Sequence, residues 1–138
     1  MTPGFISPYS APIEARLFAK ETIREDGCHM RGIVNVMSGI CGMITEIRAT
    51  SDDQAGKVQL EINTRCENIQ KLAQELKVVN PMEEISFHGK GPKTLRMAAN
   101  HCKHAACPVP SGIIKAVEVA SGLALPKDAS IQVSQEED

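Results

Sequence analysis

Tryptophan is absent from this chain, and only one tyrosine and three phenylalanines occur among its 138 residues. That scarcity removes the aromatic platforms on which single-stranded nucleic acid stacks. An excess of charge of either sign is missing too: 15 basic residues meet 17 acidic ones, for a net charge of -2. No field therefore exists to hold nucleic acid or an anionic membrane surface. No stretch approaches the roughly 20 apolar residues that span a bilayer. Nor does a basic start lead into an apolar run and a small-residue cleavage site, as in a secretory signal. The five cysteines are an odd number, unsuited to a fully paired disulfide framework. These absences point to a cytoplasmic protein with reduced thiols, outside the membrane, whose cysteines serve packing, metal binding or sulfur chemistry.

The length suits one domain with a single core, which must be built from Ile, Leu, Val, Ala and Met. Residues 1–30 differ from the rest. Pro3, Gly4, Pro8 and Pro12 precede a charged stretch whose only helical stripe is Ile13, Leu17 and Phe18, so a loosely held extension is expected. A regular pattern begins at Met30, which makes the first 29 residues a candidate leader. Residues 31–134 read as a single α+β domain, and 135–138 as a solvated acidic tail.

Ile33 to Met37 and Met43 to Thr50 are rich in β-formers, and Asp52-Asp53-Gln54-Ala55-Gly56 supplies turn chemistry. Lys57 to Asn63 alternates, with Val58, Leu60 and Ile62 on one side, as a half-buried antiparallel strand does. From Glu67 the spacing of Ile69, Leu72, Ala73 and Leu76 is helical, and Asn80-Pro81 ends that helix. A short strand at Glu84 to Phe87 is expected next. A second helix from Pro92 carries Leu95, Ala98, Ala99 and Cys102, and a third from Pro108 to Ser121 buries Ile113, Ala116, Val117 and Ala120, with Gly122 closing it. Ala129 to Val133 alternates again and is expected to return to the sheet. Strands first and helices after predict an α+β fold: a small, largely antiparallel sheet of three to four strands with about three helices on one face.

Three cysteines fall at element ends. Cys66 separates a strand pattern from a helix pattern, beside the unpaired amides of a helix start. Cys107 precedes Pro108-Val109-Pro110, whose prolines fix it at or near the N-cap of the last helix. Cys41 lies between Gly39-Ile40 and Gly42, where Gly42 lets the backbone approach a ligand closely. Loops at one end of a sheet converge, so Cys41, Cys66 and Cys107 are the expected ligands of a zinc ion or an iron-sulfur cluster. His104 is the candidate fourth ligand or proton donor, and Gly42 and Pro108 supply backbone support. Two alternatives stand beside this reading: a sulfur relay carrying persulfide on Cys107 alone, and a protein-interaction domain whose cysteines only pack. Cys28 and Cys102 are assigned to packing. The run His101-Cys102-Lys103-His104-Ala105-Ala106-Cys107 is not a closed metal site, because a helix points its groups in several directions. Gly89-Lys90-Gly91-Pro92-Lys93-Thr94 lacks the Walker spacing and reads as a solvated loop. No Ser-His-Asp order or carboxylate pair argues for an enzyme.

The order Cys41-Gly42, strand hairpin, Cys66 before a helix, and Cys107 before a late amphipathic helix resembles the U-type (IscU/NifU-like) iron-sulfur cluster assembly scaffolds. The likeness covers residues 33 to 122, in pattern more than in identity. It implies that Cys41, Cys66 and Cys107 hold a cluster, and that the partners are a sulfur donor and a cluster acceptor protein. That family has Asp after its Cys-Gly where Met43 stands here, and His before the third cysteine where Ala106 stands. Its chaperone-recognition motif has no counterpart. The Cys107-Pro108-Val109-Pro110 segment also looks like that of TusA-type sulfur carriers, where it follows the first strand. The stretch from Gly39 to Asp128 looks like an uncharacterised family of small prokaryotic proteins.

Overall fold

The structure, a computed structural model, describes residues 29–52 and 55–137. Four strands form one antiparallel sheet in chain order: β1 Arg31–Met37, β2 Ile44–Asp52, β3 Lys57–Thr64 and β4 Val78–Val79. Four helices follow the long strands: α1 Glu67–Glu75, α2 Pro81–Glu84, α3 Lys93–His101 and α4 Val109–Ala120. This is the α+β architecture expected from the order of the patterns. The N-terminal extension and Cys28 lie outside the described residues, apart from the last two positions. There Met30 N–H donates to Ser51 Oγ at 3.0 Å, and His29 Nδ1 lies 2.9 Å from the Ser51 carbonyl, so the domain is anchored from residue 29.

Register explains why one face is covered. Ile47 pairs with both Val34 and Ile62, and Ala49 with Leu60. With period-two alternation, Val36, Thr45, Ile47, Ala49 and Val58 therefore share the buried side. On the other side Arg31, Arg48, Gln59 and Glu61 are exposed, and Arg48 Nε donates to Glu46 Oε1 at 2.8 Å. The helices bury their stripes against the apolar side: Ile69, Leu72 and Leu76 from the α1 region, and Val109, Ile113, Ala116, Val117 and Ala120 from α4. Each of these is a position that helical spacing selects, and all form one core cluster.

Two expected strands are not formed. Asn80-Pro81 does not merely stop a helix; it starts one. The Asn80 side chain accepts from Met82 N–H at 3.0 Å, and Pro81 takes the first turn, where its missing N–H costs nothing. Glu84 is thus the last residue of α2, and Ile85 to Phe87 have no regular structure. Ala129 to Val133 is likewise unpaired and exposed. The Gly89–Thr94 segment is tied down rather than free, because the Arg96 guanidinium donates to the carbonyls of Lys90 and Gly91 and to Glu83 Oε1.

Glu84 is only 1% exposed, and its Oε2 accepts from Thr94 N–H at the start of α3 over 3.1 Å. The carboxylate so replaces a capping side chain, for Pro92 at the N-cap has none to offer. Glu84→Ala strips that buried amide of its partner and is expected to cost about 1–3 kcal/mol in urea unfolding. Glu84→Gln, which keeps an acceptor oxygen, is expected to lose less.

Candidate thiol site

Cys66 is the N-cap of α1, in extended backbone (φ -72°, ψ 118°), and its own side chain makes no capping hydrogen bond. The chain around it is fixed from both sides. Cys66 N–H donates to Thr64 Oγ1 at 3.1 Å, the Cys66 carbonyl accepts from Gln70 N–H at 2.9 Å, and Gln70 Nε2 donates to the Thr64 carbonyl at 2.8 Å. Buried Thr45 continues the chain of bonds, its hydroxyl donating to Thr64 Oγ1 at 3.0 Å.

Cys102 is the C-cap of α3, its N–H donating to the Ala98 carbonyl at 2.7 Å. The chain then turns: Cys107 N–H donates to the His104 carbonyl at 3.2 Å. Pro108, not Cys107, is the N-cap of α4 (φ -80°, ψ -6°). Cys107 therefore immediately precedes the N-cap, within the position at or near it that the two prolines predict. The helix opens through Gly112 N–H to the Pro108 carbonyl at 3.1 Å, and Pro110 lies in the first turn, where a missing N–H costs nothing.

These three half-buried cysteines pack against the same core cluster. The Cys102 thiol lies near Cys107 and Cys66, and its pKa is raised. Burial is the largest cause, followed by the neighbouring Cys107 and Cys66 sulfurs and then by the hydrogen bond with Cys107.

Cys102 was assigned to packing from its place on the apolar stripe, and it does pack, but it also belongs to the thiol group. A readable signal was its distance from Cys107: five residues that span a helix end, a turn and a proline-fixed helix start, so that the chain doubles back. Cys41 behaves otherwise. It ends a one-turn 3-10 helix, Gly39–Cys41, at the tip of the β1–β2 hairpin and is exposed. Gly42 has φ +68° and its N–H bonds to the Gly39 carbonyl at 2.9 Å. A Cβ there would meet nothing within 4 Å, so the glycine serves the turn and not a close approach. His104 is exposed. Among the described residues, no group of three or more His, Cys, Asp or Glu side chains is arranged to hold a metal ion, and the expected trio of Cys41, Cys66 and Cys107 is not assembled.

Thiol alkylation separates the positions. At a pH just below the ordinary thiol range, a raised pKa leaves less thiolate, so Cys102 is expected to react with iodoacetamide more slowly than exposed Cys41 by about tenfold or more. Cys107→Ser removes a neighbour that pushes Cys102 up and should speed Cys102 labelling. Peptide mass mapping against time and pH reads both rates.

No helix among the described residues is long and apolar enough to cross a membrane. A family of unknown function, DUF6951, matches residues 33–133, and the chain belongs to it. No curated protein matches the sequence.

Proposed function

We propose that this DUF6951 protein is a sulfur relay that carries sulfane sulfur as a persulfide on Cys107, with Cys102 as the adjacent resolving thiol. The supporting observation is that Cys102 and Cys107 flank the turn between α3 and α4 and pack against the same core cluster. In loading, the Cys107 thiolate attacks the terminal sulfur of a donor protein's persulfide. A sulfur-sulfur bond forms on Cys107, the donor's bond breaks, and the donor leaves as its thiol. In delivery, an acceptor thiolate takes the terminal sulfur and Cys107 departs as thiolate. With no acceptor, Cys102 attacks the Cys107 sulfur, a Cys102–Cys107 disulfide forms and hydrosulfide leaves. A dithiol reductant then returns two electrons. Cys107 takes up the sulfur, hands it on and is regenerated, so we read the protein as a carrier, working in the reducing cytoplasm. Its partners are a persulfide donor and a thiol acceptor, not nucleic acid. Anaerobic incubation with a protein persulfide donor tests the reading: Cys102→Ser, which cannot resolve the persulfide, should gain one sulfur atom by intact mass and Cys102→Ser/Cys107→Ser should gain none. Equal uptake by the two ends it.

Cys66 favours a second reading. A third sulfur near the pair fits thiophilic cargo, a zinc ion or an iron-sulfur cluster, because both take thiolates. The ligands would then be drawn from Cys66, Cys102 and Cys107, after a rearrangement that brings their sulfurs together. Metal and acid-labile sulfide analysis of anaerobically purified protein, with an absorption spectrum, distinguishes cluster, single ion and persulfide.

A further inference from the structure

Between Arg31 and Glu46 the sequence has no charged residue, no histidine and no aromatic. Within that stretch large apolar side chains stand in solvent at the hairpin tip: Met37 and Ile44 are 77% and 59% exposed, and Ile40 between them is 105% exposed. Met37 and Ile44 are the closing cross-strand pair, on the side of the sheet away from the helices. A single exposed apolar side chain needs no explanation, but a group of them on one tip marks an interaction site.

Register and packing place this tip relative to the thiols. Thr45 pairs with Thr64, so Cys66, just beyond Thr64, leaves β3 at the hairpin end of the sheet. α4 lies against β1 in the opposite sense: a Cβ at Gly112, early in the helix, would meet the Val36 side chain, and one at Gly32 would meet the backbone of Ala116 and Ala120. The start of α4 is therefore at the end of β1 that leads to Met37, and Cys107 lies just ahead of that start. Cys41 is not a member of the thiol group, yet its hairpin tip and Cys107 share one end of the sheet.

We infer that the tip Met37–Ile44 is the docking element for the persulfide donor, a protein that carries sulfane sulfur on a cysteine and offers an uncharged, apolar recess to Ile40. The inference rests on the sulfur-relay reading. In loading, the Cys107 thiolate attacks the donor's terminal sulfur; a sulfur-sulfur bond forms on Cys107, the donor's breaks, and the donor cysteine leaves as thiolate. A protein that brings its persulfide to half-buried Cys107 approaches this end of the sheet and meets the tip. A second copy is a poorer occupant, since a stable interface takes about 800 Å² from each partner and one hairpin tip supplies only part of that. A lipid surface is poorer too, because the tip lacks the Trp, Tyr, Lys and Arg that hold a segment among headgroups. Brief contact around one inserted anchor suits a carrier that must leave after each transfer.

Two donors separate docking from chemistry: glutathione persulfide, which is small, and a sulfurtransferase charged with thiosulfate, which holds its persulfide on protein. Sulfur on Cys107 is followed by intact mass against time in the Cys102→Ser background, where the persulfide cannot be resolved. Ile40→Asp is expected to slow loading from the sulfurtransferase by about tenfold or more and to leave loading from glutathione persulfide unchanged, and Ile40→Leu to load as the parent does. Because Ile40 lies wholly in solvent, urea unfolding of Ile40→Asp should match the parent. Equal slowing with both donors, parental loading from both, or a parent loaded by glutathione persulfide alone overturns the inference and leaves Cys107 as the carrier. A parent that neither donor loads refutes the relay reading itself, and the inference with it. A parent dimer that Ile40→Asp dissociates, or binding to phosphatidylcholine/phosphatidylglycerol vesicles that it abolishes, assigns the tip to a second copy or to lipid and also overturns the inference.

Discussion

Gly32→Ala is expected to destabilise the fold by about 3 kcal/mol, at the upper end of overpacking costs. A Cβ at Gly32 would run into the Ala116 carbonyl oxygen, with the Ala116 carbonyl carbon and the Ala120 nitrogen each 3.2 Å away. These are backbone atoms of α4 and cannot turn aside as a side chain can. The helix must lift from β1, and it carries Val109, Ile113, Ala116, Val117 and Ala120, all at most 1% exposed. Gly112→Ala is the control. Its Cβ meets the Val36 side chain, with Ile47 Cδ1 at 3.4 Å and Val34 Cγ1 at 3.5 Å. Those groups can rotate, so a smaller loss of about 1 kcal/mol is expected. Urea unfolding should show a lower midpoint at unchanged slope for both, with the larger shift for Gly32→Ala. The site should register the same change: Cys107 immediately precedes the N-cap of α4, so lifting that helix moves it away from Cys102. Cys102 alkylation should then speed up in Gly32→Ala while the protein is still folded.

The second large effect concerns the fate of sulfur once loaded. Cys102→Ser is expected to leave sulfur uptake intact and to slow hydrosulfide release by on the order of tenfold or more, because a nearby intramolecular thiol acts at a high effective concentration. Serine keeps the size and hydrogen-bonding capacity of the side chain but cannot form the resolving disulfide. The persulfide on Cys107 should therefore accumulate. Cys41→Ser should change neither uptake nor release, since that thiol sits on the exposed hairpin tip. Sulfide trapping and intact mass over time read both quantities. If release proceeds at the parental rate in Cys102→Ser, the resolving role is wrong even where loading on Cys107 stands.

Local periodicity made most of the fold legible. The alternation of Lys57 to Asn63 gives β3, and the stripe Ile113, Ala116, Val117, Ala120 gives the buried face of α4, because each pattern has one consistent side to bury. The failures lie where two local signals compete. At Asn80-Pro81 the stop for one helix is also the start of the next, and capping by Asn80 decided it. At Ala129 to Val133 alternation alone predicts a strand, but the segment pairs with no strand of the sheet. For the site, Cys66 at a helix start was readable from the change of period. The grouping of Cys102 with Cys107 is easily missed, since a cysteine on an apolar stripe looks like any small packing residue, and only the five-residue separation across a turn signals it. It took the turn Lys103 to Ala106 to bring the two together. Cys41 was included for its place at an element end, and that trait does not measure distance.

The claim that Cys107 is the working thiol is tested most directly by locating the sulfur. The Cys102→Ser protein, which cannot resolve its persulfide, is held anaerobically with a protein persulfide donor, alkylated and digested, and the cysteine peptides are weighed. One added sulfur on the peptide containing Cys107, with none on those containing Cys41 or Cys66, is the expected result. Sulfur on Cys41 or Cys66, or no uptake from a competent donor, would contradict the account.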